Sequence, residues 1–277
     1  MMYTKGEGLP FRKILAVDFE YCGADGELTD VVCMVTQDLQ SGEVSRYWQR
    51  DLLKMKTPPF ETGGDVALIS YFAPAEVQSM LALGWDIDVP VIDLFAEFRC
   101  QTNGNPNVGR KSLIGALQFF ELDHLIPEEK DSMRNLILSG GPWYKPQRSA
   151  ILDYCQQDVV ALGPLLNAML RNAPWSELQF NQALLRGRYM KAVGAMQHRG
   201  IPIDLGMLDK LDANWEKIKL NLIENVDAQY CVYVDGRFKE ALFQSYLARE
   251  GIPWPRLDSG RLALDRNTFS NMSKRYP

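Results

Sequence analysis

The feature that most constrains this chain is a short apolar run that ends in two acids, Ile14-Leu15-Ala16-Val17-Asp18-Phe19-Glu20. Four consecutive apolar residues predict a buried β-strand, and side chains alternate between the two faces of a strand. Asp18 and Glu20 are therefore expected side by side on one face. Two like charges held on a rigid strand repel each other unless a cation lies between them. The pair is a candidate site for a divalent metal, although a solvated strand end is the alternative for a lone Asp-x-Glu.

A second polar pair lies late in the chain, within Tyr154-Cys155-Gln156-Gln157-Asp158. Tyr154 and Asp158 are four residues apart in a helical pattern, so they share one face of one helix. Polar neighbours at this spacing are also common on exposed helix faces. The apolar residues around the pair indicate that a buried side lies close by, and they are Ile151, Leu152, Val159 and Leu162.

The composition is that of a globular, cytosolic protein. The chain has 277 residues, of which 46% are hydrophobic and 23% are charged, and no apolar run is long enough to span a bilayer. Five cysteines form no CxxC pair and there are only two histidines, so we expect reduced thiols and no zinc site of a familiar spacing. The net charge of −5 argues against a strongly basic protein that coats DNA.

Hydrophobic patterning predicts a sheet covered by helices. After the first strand, two further segments predict an antiparallel meander, and short strands then alternate with helices. The predicted strands are residues 30–36, 44–48, 66–72 and 89–92. The predicted helices are residues 74–83, 94–99, 112–120, 128–138 and 149–170.

Pro174 predicts a domain boundary, which divides the chain into residues 1–174 and residues 175–277. The second part is expected to be mainly helical. One helix is predicted over residues 177–198, and Asp204 is a candidate N-cap for the next helix. That helix carries apolar residues at intervals of three and four, which predict a packing face, and they are Leu208, Leu211, Trp215, Ile218 and Leu222.

Together, the acidic strand and the Tyr-x-x-x-Asp helix resemble the DEDD family of 3′→5′ exonucleases. The resemblance is to the tyrosine-bearing branch, as found in the proofreading domains of family A DNA polymerases, and it spans residues 12–172. The sister branch would have histidine five residues before the last acid, where this chain has Asp153. The resemblance implies a ribonuclease H-like α/β fold, with a mixed sheet flanked by helices.

The third acid of the family pattern departs from type. By position it follows the fourth strand, which makes Glu76 the candidate, whereas the family usually has aspartate there with asparagine or a similar residue upstream. Asp93, after the fifth strand, is the rival, but capping of the next helix would explain it equally well. We favour Glu76, because it would lie in the first turn of a helix, where the helix dipole stabilises an anion.

The resemblance continues beyond Pro174. The segments 185–190, 199–204 and 251–255 look like the opening of the polymerase region in some phage-type family A enzymes. The catalytic polymerase motifs have no counterpart here, so we expect no polymerase activity. The resemblance implies either a piece of a polymerase involved in DNA replication or a stand-alone relative.

The resemblance also implies a metal site and a reaction. Asp18, Glu20, Glu76 and Asp158 would hold two Mg²⁺ or Mn²⁺ ions roughly 3.5–4 Å apart on either side of a scissile phosphate, with Asp18 the best candidate to contact both ions. Tyr154 would orient the attacking water by a hydrogen bond, because a phenol with a pKa near 10 is poorly suited to remove its proton.

The expected activity is a 3′→5′ exonuclease that acts on single-stranded DNA ends, with the remainder of a DNA polymerase as a further expected partner. Two other functions fit the same fold. The DEDD site does not itself select the sugar, so an exoribonuclease is one alternative. The other alternative is a non-catalytic module that binds nucleic acid, because the third acid departs from the family pattern.

Overall fold

The computed structural model describes residues 2–3, 9–23, 26–123 and 127–276. The chain forms two compact units, Met1–Gly200 and Ile201–Pro277. The two compact units divide at Gly200, after the helix predicted over residues 177–198, and the domain boundary at Pro174 stays a prediction.

The first unit contains most of the regular structure. Its elements in chain order are β1 (Met2–Tyr3), β2 (Lys13–Cys22), β3 (Asp30–Asp38), β4 (Val44–Trp48), α1 (Gln49–Leu52), β5 (Val66–Ser70), α2 (Ala73–Ala82), β6 (Val91–Asp93), α3 (Leu94–Gln101), α4 (Leu113–Phe119), α5 (Pro127–Leu138), α6 (Lys145–Asn172), β7 (Trp175–Ser176) and α7 (Glu177–Arg199). The predicted strands and helices recur with shifts of a few residues at their ends. Helix α6 begins earlier than predicted because Pro146 is accommodated in its first turn.

Five strands form one mixed sheet in the order β4-β3-β2-β5-β6. The meander of β2, β3 and β4 is antiparallel, whereas β5 and β6 run parallel to β2. The short strands β1 and β7 pair separately. This mixed sheet flanked by helices confirms the predicted ribonuclease H-like α/β architecture, with the acidic strand β2 at its centre.

Strand β2 is buried on both faces, and its alternation determines where its acids point. Ile14 and Ala16 pack in the core that includes residues of α6. Leu15, Val17 and Phe19 pack in the core on the other face, which includes residues of α2. Because Asp18 and Glu20 continue the row of Ile14 and Ala16, they face α6.

Helix α7 belongs to the first unit because it packs unusually closely against β6 and α2. A Cβ atom built on Gly187 would lie 1.8 Å from the main-chain oxygen of Val91, and one built on Gly194 would lie 2.8 Å from Cβ of Val77. Only glycine permits this approach of helix to strand and helix to helix. A partly buried ion pair adds to the contact, since Arg186 donates to both carboxylate oxygens of Glu97 on α3 at 2.6 Å.

The second unit contains α8 (Leu205–Tyr230), the hairpin β8 (Tyr233–Val234) and β9 (Arg237–Phe238), α9 (Glu240–Arg249) and α10 (Arg266–Arg275). Asp204 caps α8 as predicted, accepting a hydrogen bond from the Met207 N–H at 2.9 Å. The apolar residues of α8 do not form the predicted packing face, since none of the helix's residues, all of which are described, is buried. Across the described ranges, no helix is long and apolar enough to cross a membrane.

The close approach of α7 to β6 yields a test. Gly187→Ala should reduce the free energy of unfolding by about 1–3 kcal/mol, because the new methyl group must displace main-chain atoms of β6. Gly64→Ala is the matched control, since a Cβ atom there meets nothing within 4 Å, and its effect should stay within about 1 kcal/mol. Urea unfolding of the two variants measures the difference. Equal effects would show that α7 does not pack on β6 in this way.

Candidate active site

Two carboxylates and a thiol form the centre of the site. Asp18 and Glu20 project from β2 toward α6, and the Cys155 thiol of α6 lies 3.4 Å from both the main-chain oxygen and Oδ2 of Asp18. Ligand atoms of Asp18, Glu20 and Cys155 all lie within 4.8 Å of one another. The β2–β3 register shifts immediately after Glu20, an irregularity that is common beside active sites.

Glu76 reaches this centre from α2, on the opposite face of the sheet. Its side chain is buried, with an exposed fraction of 4%, and its carboxylate accepts a hydrogen bond from the Phe19 main chain. Its second oxygen, Oε2, is buried and has no hydrogen-bond partner in the described part of the chain. A buried carboxylate oxygen without a donor is costly, so a bound cation would stabilise this atom.

Asp158 and Tyr154 complete the predicted set from α6. The Tyr154 hydroxyl donates to the Asp158 carboxylate, and Lys130 of α5 donates to Asp158 Oδ2 at 2.7 Å. The Lys130 ammonium also lies 5.5 Å from the centroid of the Tyr154 ring, within the range of a cation–π contact. The sequence reasoning did not find Lys130, because nothing in its surrounding sequence distinguishes it from an exposed helical lysine.

Asp93, the rival for the third acid, has a different position. Its Oδ2 accepts a hydrogen bond from the Ala73 N–H at 2.7 Å and its Oδ1 accepts one from the Ala96 N–H at 2.8 Å. Ala73 is the first residue of α2 and Ala96 lies in the first turn of α3. Both oxygens of Asp93 therefore cap helix N-termini. Of the two candidates for the third acid, Glu76 is the one that interacts with Asp18 and Glu20.

Burial and mutual repulsion make the carboxylates difficult to ionise. Burial and the Asp158 charge raise the pKa of Asp18 from its ordinary value of 3.8 to about 7. Burial and the Asp18 charge raise the pKa of Glu20, and burial with the charges of Asp18 and Glu20 raises the pKa of Glu76. Burial also raises the pKa of Asp158, although Lys130 opposes this effect. Such a cluster favours binding of a cation.

An open cavity of about 500 Å³ leads to the cluster. Its lining includes the charged residues Asp18, Asp158, Lys130 and Lys111. It also includes three aromatic residues, which are Tyr71, Phe72 and Phe95. Phe72 is exposed over 37% of its surface, and its ring meets that of Phe95 edge-on with centroids 5.3 Å apart. These aromatic residues are a second feature that the sequence did not predict, because Phe72 and Phe95 are far apart in the chain.

The donor set fits hard divalent cations. Asp18, Glu20, Glu76 and Asp158 offer carboxylate oxygens, which Mg²⁺ and Mn²⁺ prefer. The unpartnered Oε2 of Glu76 and the raised pKa values of all four acids fit a site that binds a cation. The residues that the structure brings together are therefore suited to the metals that the sequence predicted.

Comparison with known proteins adds a likeness of fold. No protein-family model matches the sequence, and a comparison with curated proteins finds no match. A nuclease in its apo form is 16% identical over 69% of this chain and 86% of that chain, with a TM-score of 0.49. Brucella melitensis NrnC with bound Mg²⁺ is 14% identical over 68% of this chain and 86% of its own, with a TM-score of 0.46.

Escherichia coli RNase D, an exoribonuclease involved in structured RNA processing, is also similar. It is 14% identical over 95% of this chain and 67% of its own, with a TM-score of 0.44. These identities and TM-scores are low, and the activities are those of the proteins named.

The raised pKa of Asp18 predicts an unusual pH dependence of stability. Without metal, the folded state holds a proton on Asp18 up to about pH 7, whereas the unfolded state releases it near pH 4. The free energy of unfolding should therefore fall as the pH rises from 5 through 7. Thermal unfolding in EDTA measures this slope, which Asp18→Asn should flatten.

The exposed Asp51 supplies the control variant Asp51→Asn. It should retain the wild-type slope. Adding Mg²⁺ should raise the stability of the wild type most at the alkaline end, where the carboxylates are ionised. A stability in EDTA that rises from pH 5 to 7.5 would contradict the electrostatic assignment.

Proposed function

We propose that this protein is a metal-dependent nuclease that hydrolyses phosphodiester bonds, and that it acts as a 3′→5′ exonuclease on single-stranded DNA. One observation carries the proposal. Carboxylates from β2, α2 and α6 meet at one end of the sheet, with the Tyr154 hydroxyl on Asp158, beside an open cavity. One buried and three half-buried acids have no structural reason to gather unless cations bind them.

Asp18, Glu20, Glu76 and Asp158 are the proposed metal ligands. Two bound Mg²⁺ or Mn²⁺ ions would activate a water molecule as nucleophile and stabilise the departing 3′-oxygen. The protein's own contribution is to hold the four carboxylates on rigid elements before substrate arrives, so that little reorganisation accompanies the reaction.

Tyr154 is proposed to hold the attacking water in position. Burial and the Asp158 charge raise the pKa of its phenol above the ordinary value, so the hydroxyl stays protonated at neutral pH. A protonated phenol can donate or accept a hydrogen bond but cannot act as a base. Lys130 adds a positive charge to the lining of the cavity, where it could attract a phosphate.

The cavity lining supports a single-stranded substrate. Unpaired bases stack on aromatic side chains without regard to sequence, and Phe72, Phe95 and Tyr71 offer such faces next to the carboxylates. Lys111 in the same lining adds a positive charge, although its Nζ also donates to Thr102 Oγ1 at 3.0 Å. The proposed partner is therefore the 3′ end of a single strand.

The resemblance to polymerase proofreading domains supplies the proposed setting. Residues 175–277 would be the beginning of a polymerase region, and the exonuclease would proofread during DNA replication.

Digestion of matched 3′-labelled and 5′-labelled oligonucleotides tests the activity. With Mg²⁺ or Mn²⁺, 5′-labelled single-stranded DNA should shorten progressively, 3′-labelled DNA should release mononucleotide at once, and EDTA should stop both. RNA oligonucleotides of the same sequence decide between exodeoxyribonuclease and exoribonuclease. No cleavage of any substrate would favour the non-catalytic module. Nucleotide incorporation on a primed template would contradict the expected absence of polymerase activity.

Asp18 and Tyr154 should differ in what their loss removes. Asp18→Ala should abolish cleavage while the protein stays folded, because the variant loses the proposed shared ligand and relieves repulsion. Tyr154→Phe should reduce the cleavage rate by up to about 100-fold, since only a positioning hydrogen bond is lost, and should leave Mg²⁺ binding intact. Single-turnover cleavage and calorimetric Mg²⁺ titration separate the two effects. A wild-type rate for Asp18→Ala would refute the metal assignment.

Glu76 and Asp93 offer a matched pair of variants with opposite expectations. Glu76→Gln should weaken Mg²⁺ binding by at least about tenfold while leaving the metal-free protein as stable as the wild type or more so, because a buried charge is removed. Asp93→Asn should destabilise the fold by about 1 kcal/mol through loss of a helix cap and leave cleavage nearly unchanged. The reverse pattern would identify Asp93 as the third acid.

A further inference from the structure

Helix α8 carries a row of apolar side chains that the rest of the described chain leaves largely uncovered. Leu208, Leu211, Trp215 and Leu222 each keep between 44% and 59% of their surface exposed, and Ile218 in the same row is half-buried. Exposed apolar rows of this kind often mark contact surfaces. We call these five residues the α8 stripe.

The opposite side of α8 makes contacts within its own unit. Cδ2 of Leu220 lies 2.8 Å from the position that a Cβ atom on Gly236 would take. The Asp227 carboxylate accepts hydrogen bonds from the main-chain N–H groups of Val232 and Tyr233. At about 3.6 residues per turn, Leu220 and Asp227 lie on the side of the helix away from the stripe. The unit therefore packs on one side of α8 and leaves the stripe for a contact with another molecule.

The spacing of the stripe is that of a helix that pairs with another helix. Its residues follow one another at alternating intervals of three and four. Leu208, Trp215 and Leu222 therefore occupy the a positions of a heptad repeat, and Leu211 and Ile218 occupy the d positions. Side chains at these positions interlock with those of a second helix that has the same spacing. The stripe thus fits an amphipathic helix, and α8 is itself such a helix.

The charged residues beside the stripe distinguish between partner helices. Asp212 and Lys219 occupy successive e positions, and residues at e and g determine the partner and the orientation of paired helices. In an antiparallel pair, e residues face e residues. When Trp215 faces Ile218 of a second copy, Asp212 of each copy faces Lys219 of the other.

Other arrangements of two α8 helices lose this charge complementarity. A shift of one heptad in either direction sets Asp212 against Asp212 or Lys219 against Lys219. A parallel pair sets e residues against g residues, and the g residues Met207, Asn214 and Asn221 carry no charge. The stripe is therefore complementary to a second α8 in one orientation and one register.

We propose that the α8 stripe pairs antiparallel with the α8 stripe of a second copy of this chain, in a dimer with two-fold symmetry. The axis passes between Glu216 and Lys217, so every contact across the interface occurs twice. Leu211 faces Leu222 in the layers beside the centre. The dimer does not depend on the proposed nuclease function.

Two features make this a reversible association. Lys219 Nζ also lies 3.5 Å from Glu216 Oε2 of its own helix, and this exposed ion pair competes with the contact to the second copy. Leu208 faces Asn225 at each end of the paired region, so apolar residues face each other only in the central layers.

Sedimentation equilibrium of the full chain tests the proposal, and the wild type should form a dimer that dissociates on dilution. Asp212→Lys should weaken self-association by about tenfold, because two attractive contacts become repulsive, and Lys219→Glu should do the same. An equimolar mixture of the two variants should associate about as tightly as the wild type, since the two lysines of one variant then face the two acids of the other.

Asp209→Lys and Lys210→Glu are the matched controls. They change the net charge by the same amounts at b and c positions, which lie outside the paired surface, and should associate like the wild type. Should a charge variant lose helical content by circular dichroism, Leu222→Gln decides in its place. It should give a monomer, whereas Leu178→Gln, at an exposed leucine of α7, should keep the dimer.

Any of three results would overturn the proposal. The first is a wild type that stays monomeric at about 100 μM, which would leave the stripe to a different partner. The second is a dimer that the charge variants weaken no more than their controls do, or that Leu222→Gln leaves intact. The third is a mixture of Asp212→Lys and Lys219→Glu that associates no better than either variant alone, because the antiparallel register requires this rescue.

Discussion

Repulsion among one buried and three half-buried carboxylates is the constraint on which the rest of this structure depends. Asp18 and Glu20 project from the same face of one strand, and Glu76 and Asp158 are held against them from two helices on opposite faces of the sheet. No local preference of the chain favours this arrangement, because buried charge is unfavourable wherever it occurs. The surrounding scaffold must therefore be rigid enough to hold the acids together without a metal.

The rigidity of α2 has identifiable sources. Phe72, the residue before α2, adopts a left-handed conformation with φ of 82°. This conformation costs on the order of 1–3 kcal/mol for a residue other than glycine, so it persists only because the surrounding contacts fix it. The Asp93 carboxylate holds the next residue through the Ala73 N–H, and α7 packs against the same helix at Gly194. Asp93 thus caps the first residue of α2 without belonging to the proposed ligand set. The Phe72 ring of the same turn lines the cavity.

Much of this arrangement could be predicted from the sequence, and the remainder has a clear physical reason. The alternation of β2 and the four-residue spacing of Tyr154 and Asp158 are local patterns, so they indicated both the elements and the faces of their acids. The place of α7 depends on how closely Gly187 and Gly194 allow it to approach, which is a property of contacts distant in sequence. Lys130 and Phe95 join the site through tertiary structure alone, and no local signal marks them.

The electrostatic balance of the cluster is uneven, and this unevenness indicates where a cation is most needed. Asp158 has a cationic partner, Lys130, at 2.7 Å and a hydrogen bond from Tyr154. Glu76 has one main-chain donor and an oxygen without any partner in the described chain, and the pKa of Glu20 is raised by burial and by Asp18. The protein therefore neutralises the α6 side of the cluster with its own lysine, and the proposed cation would neutralise the side of Glu20 and Glu76.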